Sequence, residues 1–203
     1  MSLKKKSNDG SSSNDFNSET YELLYSKNIL MLDREITEQI ASDLIGRIIL
    51  INLSTPKTKK SNIVLMVNSF GGDSYCGLGL VDAIKASEIP VTTICIGVAA
   101  SCAAMILASG AKRLSLPNAS IMIHPHWIEM ERAYTHQELM TEVTESKRLH
   151  ELNTNFWNGI IPTSKGKVTN LMSKDSWLNP QQALSLNIID EIVTSTNALP
   201  KTT

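Results

Sequence analysis

The sequence predicts an α/β fold on a mostly parallel sheet, built as one domain with short polar ends. Three observations lead there. Apolar runs at 63–67 and 91–96 have strand length and do not alternate with polar residues, as strands covered on both faces read. Segments with apolar residues at helical spacing stand between such runs along the chain. The 203 residues, 42% hydrophobic and 19% charged, are enough for one well-packed domain and too few for two with tails.

Residues 1–20 are mostly Lys, Ser, Asn and Asp with little to bury, and read as a flexible polar arm ahead of a domain at 21–195. The last residues, 196–203, read as a flexible tail. Ile29–Leu32 is a short strand. Thr37 caps a helix carrying Ile40, Leu44, Ile48 and Ile51. A polar loop with the Lys57–Lys60 cluster precedes the 63–67 strand. Gly71 and Gly72 form a tight turn, and Asp73 or Ser74 caps a helix with Leu78, Val81 and Ile84 on one side. The 91–96 strand leads into a helix of small residues at about 101–109, stopped by Gly110. Leu114–Leu116 and Ile121–Ile123 flank a Pro117-Asn118 turn. Thr135 and Glu138 fit a capping box, opening a long helix to about Trp157 with Leu139, Val143, Leu149, Leu152 and Phe156 in one stripe. A Gly/Lys/Ser loop follows, then Asn179-Pro180 starts a short helix and Ile188–Val193 closes the sheet.

Composition excludes several functions. A net charge of −1 gives no basic face for nucleic acid or an anionic membrane, and 5% aromatics give no stacking platform for bases. Three cysteines (Cys76, Cys95, Cys102), none in a C-x-x-C pair, suggest neither a disulfide framework nor a zinc site. Residues 89–111 carry no charge and are long enough to span a bilayer, but their Ala, Ser, Thr, Cys and Gly content fits a buried strand and a buried helix better. The polar N-terminus has no apolar stretch of a secretory signal, so a cytoplasmic protein is expected.

The dinucleotide fingerprint, the P-loop, H-E-x-x-H and G-x-S-x-G are all absent. His124 and His126 have no third ligand near them in sequence, so no metal is expected. Nucleophilic chemistry remains. Ser101 passes from an apolar strand into a helix start, where it is either a cap or a nucleophile beside free amides. Gly71-Gly72 follows another strand, as a plain turn or as amides offered to a substrate. His124 ends a third, as a structural group or a general base. Loops at the carboxyl ends of parallel strands gather into one site, so the three are expected together.

The segments VNSFGGD, IGVAASCAAMIL, LPNASIMIH and KDSWLNPQQALSLNIID resemble the ClpP family, the proteolytic subunits of ATP-dependent Clp proteases, over roughly residues 21–193. The family's S-P-G-G loop appears as Ser69 to Gly72, its A-A-S segment as Ala99 to Ser101, and its M-I-H strand as Met122 to His124. The resemblance implies a ClpP/crotonase-like superhelix of β-β-α units with a protruding handle helix. It implies a serine endopeptidase with the triad Ser101, His124 and Asp175, the backbone amides of Gly71 and Cys102 as oxyanion donors, and a substrate strand aligned beside the Gly71-Gly72 loop. It further implies no cofactor in this chain, ATP being used by an AAA+ unfoldase partner. Unfolded polypeptides are the implied substrates, and homo-oligomeric, heptameric rings able to stack in pairs are the implied assembly. A phage head-maturation protease of the same fold and a non-catalytic ring component are the alternatives. Departures from the family pattern are Phe70 for Pro, Val98 for Gln, and Pro125 to Met130 after the histidine. Val64 and Met66 replace two tyrosines of the unfoldase-docking pockets.

Overall fold

The computed structural model describes residues 13–56, 61–127, 132–161 and 165–195. Strand β1 (Ile29–Leu32), helix α2 (Glu38–Ser54), strand β2 (Ile63–Ser69), helix α3 (Ser74–Ala86) and strand β3 (Val91–Ala100) alternate as expected, after a first helix α1 (Ser13–Tyr25). Helix α4 (Cys102–Ala108), strands β4 (Lys112–Ser115) and β5 (Ser120–Ile123) and the long helix α5 (His136–Ile160) follow. Helix α6 (Lys165–Leu171), strand β6 (Ser176–Leu178), helix α7 (Pro180–Ser185) and strand β7 (Glu191–Ile192) complete the chain. The strands form one sheet in the order β1-β2-β3-β4-β7, with β5 on β3 and β6 on β5. All pairs are parallel except β5–β6.

Strand β3 organises the site. Its first half pairs with β4 through Thr92 to Cys95, and its second half pairs with β5 through Val98 to Ala100. The chain therefore moves from β4 to β5 without leaving the same partner strand, and the ends of β2, β3 and β5 arrive side by side. Between β2 and β3 the register shifts from Val67↔Cys95 to Ser69↔Ala99, leaving extra residues on β3. Asn68 fills the gap, its Oδ1 accepting from the Val98 amide at 3.1 Å.

The uncharged stretch is a buried strand and helix, as its composition indicated. Every residue of α4 is buried, and Met105, Ile106 and Leu107 each contribute roughly 2 kcal/mol of gross hydrophobic stabilisation. No helix among the described residues is long and apolar enough to cross a membrane. The main core joins α2, α3 and α4 to one face of the sheet, and a smaller cluster of Val64, Ile94, Leu114 and Val193 lies on the other.

Helix starts follow the expected caps. Thr37 accepts from the Ile40 amide and Asp73 from the Cys76 amide. Thr135 with Glu138 and Asn179 with Gln182 form complete capping boxes. Four expectations need correction. Residues 13–20 of the expected arm belong to α1, whose Tyr21 bonds to Asp33 and so ties the helix to the domain; residues 1–12 and 196–203 lie outside the described residues. The loop expected after α5 contains α6, with Val168 buried against the core. The closing strand is reduced to β7, because Ile188 and Ile189 pack into the core ahead of it. Val64 is 1% exposed, so it belongs to the smaller core cluster and not to a surface pocket, whereas Met66 is half-buried against that cluster.

Candidate active site

Ser101 connects β3 to α4 with φ +58° and ψ −129°, a conformation L-residues rarely adopt and that costs on the order of 1–3 kcal/mol. It stands at the helix N-cap yet makes no side-chain cap bond. Its Oγ lies instead 2.7 Å from Nε2 of His124, at the end of β5. The serine is thus not a side-chain cap: it presents its hydroxyl to the histidine ring. The Ser101 amide donates to the Met122 carbonyl at 3.0 Å, which fixes the spacing between the two strand ends.

The glycine loop sits directly on the serine. A Cβ on Gly71 would lie 2.7 Å from Ser101 Cβ, and φ is +100° at Gly71 and +153° at Gly72, so side chains are barred by space and by backbone alike. The two amides differ. Gly71 N–H donates to Ser69 Oγ at 3.1 Å, while the Gly72 amide has no partner among the described residues. The Cys102 amide is the first of α4 and has no helical carbonyl to bind. Burial pushes the Cys102 thiol above its ordinary pKa and takes Cys95 up to about 12, so neither competes with Ser101 as a thiolate.

Asp175 is not brought to the histidine. It is exposed, and His124 Nδ1 is buried with no partner. The backbone does align the two, because β5 and β6 end their antiparallel ladder at Ile123↔Ser176, one step before His124 and Asp175. In this arrangement the Asp175 side chain stays open to water. Next to His124 the Trp127 ring stands edge-on at 6.0 Å.

A cleft of about 170 Å³ opens at Ser101 and His124, lined also by Cys102, Met105, Trp127 and Trp157. A second groove runs beside Phe70, Gly71 and Val98. The sequence reading missed Trp157, because it sits in the apolar stripe of α5 and reads as core. It also missed the hydrogen bond of Ser69 to the Gly71 amide, although Ser69 stands in the glycine motif. No group of three or more His, Cys, Asp or Glu that could hold a metal occurs among the described residues.

The chain matches the family model described as Clp protease over residues 12–196. It is 36% identical over 184 residues to an ATP-dependent Clp protease proteolytic subunit of Mesostigma viride, covering 89% of this chain and 78% of that one. It is 34% identical to the protein of the same name from Chlorokybus atmophyticus, covering 87% and 77%. To the one from Deinococcus radiodurans it is 27% identical, covering 87% and 85%. The matched span includes every strand of the sheet, the glycine loop, Ser101 and His124, so the α/β fold is the family's. With a family model matching nearly the whole chain, this serine peptidase belongs to the Clp protease family.

Proposed function

We propose that Ser101 is the nucleophile, His124 the general base and Asp175 the group that orients His124, in hydrolysis of peptide bonds of unfolded polypeptides. The observation that carries this is the 2.7 Å bond from a serine held at φ +58° to a histidine on the neighbouring strand. Ser101 Oγ attacks the scissile carbonyl while His124 Nε2 takes its proton, then returns that proton to the leaving amine. The unpaired amides of Gly72 and Cys102 receive the oxygen as it gains negative charge. Gly71, whose amide is already engaged, shapes the loop against which a substrate strand lies. Asp175, which the ladder register places across from His124, turns its carboxylate to the unpartnered Nδ1 and stabilises the imidazolium that forms.

The working form is a homo-oligomeric ring, heptameric and able to pair, that encloses its sites and is fed by an AAA+ unfoldase which uses the ATP. The chain itself needs no cofactor and works in the cytoplasm. The relatives' shared name, an ATP-dependent proteolytic subunit, supports this degradative reading over capsid maturation. A fluorophosphonate probe followed by peptide mapping tests the centre of it. The expected label is on Ser101 and is absent from Ser101→Ala; labelling elsewhere, or none in an active preparation, overturns the assignment.

A further inference from the structure

The glycine loop is held by a side chain that never reaches the cleft. Ser69, the last residue of β2, is 1% exposed, and both capacities of its hydroxyl are used. Oγ donates to the Arg34 carbonyl at 2.6 Å and accepts from the Gly71 amide at 3.1 Å. The same short strap continues the contact: Ile36 N–H donates to the Gly71 carbonyl at 2.8 Å, and Asp73 N–H donates to the Ile36 carbonyl at 2.9 Å. The loop from 69 to 73 is therefore laced to residues 34–36. Of its glycine amides, Gly71 is turned back onto Ser69 and Gly72 is left unpaired.

Because consecutive amides of a turn point in different directions, engaging the first fixes the direction of the second. A loop with two positive-φ glycines has many conformations to lose, and the Ser69 hydroxyl is the only side chain bonded to either glycine amide among the described residues. We propose that Ser69 is a positioning residue for the peptidase reaction. By clamping Gly71 N–H to the strap it aims the Gly72 amide at the oxygen that becomes negative during attack. This rests on the reading of Ser101 as the nucleophile, and it assigns Ser69 no contact with substrate.

The test uses full-length protein in the assembled form that cleaves short fluorogenic peptides. Ser69→Ala is expected to lower kcat by about 10–100-fold, as misplacing an oxyanion donor does, with KM changed by less than about twofold. The inhibition constant of a peptide boronate, whose tetrahedral adduct carries the same oxygen, is expected to rise in parallel with the loss in kcat. Ser69→Thr keeps the hydroxyl and is expected to recover most of kcat. Amide exchange on the unaltered protein gives a second reading that needs no variant. Gly71 should be protected throughout, and Gly72 should become protected only in the boronate adduct.

Wild-type kcat in Ser69→Ala overturns the proposal, as does a loss of kcat with unchanged boronate affinity. Fast exchange at Gly71 also overturns it, and this measurement decides the matter even where the alanine variant fails to fold. Ser101→Ala, run in parallel, separates the two levels. If it stays active, the nucleophile assignment falls; if it is inactive while Ser69→Ala is not, only the positioning role falls.

Discussion

Deleting the Ser101 hydroxyl removes the one atom that both accepts the histidine's help and attacks the substrate. Ser101→Ala should lower kcat on short peptides by about 10⁶-fold, and His124→Ala by about as much, because the members of such a unit are not additive. Asp175→Ala should cost roughly 100-fold less than either, since it removes only the orienting group. Steady-state kinetics on the three variants checks this order, and an Asp175 variant as inactive as Ser101→Ala would show that the carboxylate does more than orient. Ser101 and His124 were legible in the sequence because each ends an apolar strand, and strand ends of a parallel sheet converge. The Ser101 backbone conformation was not, since no letter code records a φ of +58°. Nor was the place of the Asp175 side chain, which depends on a rotamer at the end of a three-residue strand. The resemblance named Gly71 as an oxyanion donor, and only the hydrogen bond to Ser69 separates its role from that of Gly72.

Elements at the far end of the chain are tied in by an ionic clamp at Arg113. Arg113 on β4 donates from Nε to Asp190 Oδ2 at 3.0 Å, from its own amide to the same oxygen at 2.8 Å, and from Nη1 to the Asn187 carbonyl at 2.8 Å. Burial alone would raise the Asp190 pKa, but the Arg113 hydrogen bonds outweigh it and hold the carboxyl below its ordinary value. A lowered folded-state pKa stabilises the fold above the unfolded value, and that contribution is lost as pH falls through the carboxylate range toward the folded value. Asp190→Asn should therefore lower the melting temperature at neutral pH by about 2–4 °C, for a partly exposed pair worth about 1 kcal/mol, and the difference from wild type should shrink below about pH 4. A difference that stays constant from pH 7 to pH 3 would show that packing, not charge, explains the loss. At the start of α5, Thr135→Ala breaks a complete capping box and should cost about 1 kcal/mol by denaturant unfolding. These caps were readable from four-residue spacings, and so were strands of five or more apolar residues. Helix α1, α6 and strand β6 were not: α1 lies in a polar context, α6 has a Gly-Lys composition, and β6 owes its existence to a partner some fifty residues away.

For the whole molecule, what matters is how much apolar surface one copy leaves uncovered. Leu139, Met140 and Leu152 are exposed along α5, and Ile49, Leu50 and Leu53 along α2, with Leu53 at 81%. The α5 helix, about 38 Å long at 1.5 Å per residue, buries only Leu149 and Trp157 in its own domain. Sedimentation at micromolar concentration should accordingly show a homo-oligomer. Leu53→Glu and Leu152→Glu place charge where the isolated chain is already open to water, so they should cost the fold little while opposing any contact that covers them. The expected result for each is a smaller species with an unchanged circular dichroism spectrum and lowered peptidase activity. A wild-type monomer at that concentration would remove the enclosed-chamber part of the function proposed above. The unfoldase enters at the same scale. Short peptides should be cleaved slowly by the chain alone, and folded proteins only when an AAA+ ATPase and ATP are present. Of the two positions where aromatics are replaced, Val64 is buried and has no room for a phenol ring, so Tyr there would overpack the smaller core. Met66 is half-buried and can accept one. Met66→Tyr should thus strengthen capture by an unfoldase in the presence of ATP, since aromatic anchors often carry much of an interface's energy. Val64→Tyr should weaken the fold before it strengthens anything, as a drop in melting temperature would show. Equal capture of wild type and Met66→Tyr would mean that this face of the sheet is not where the unfoldase docks.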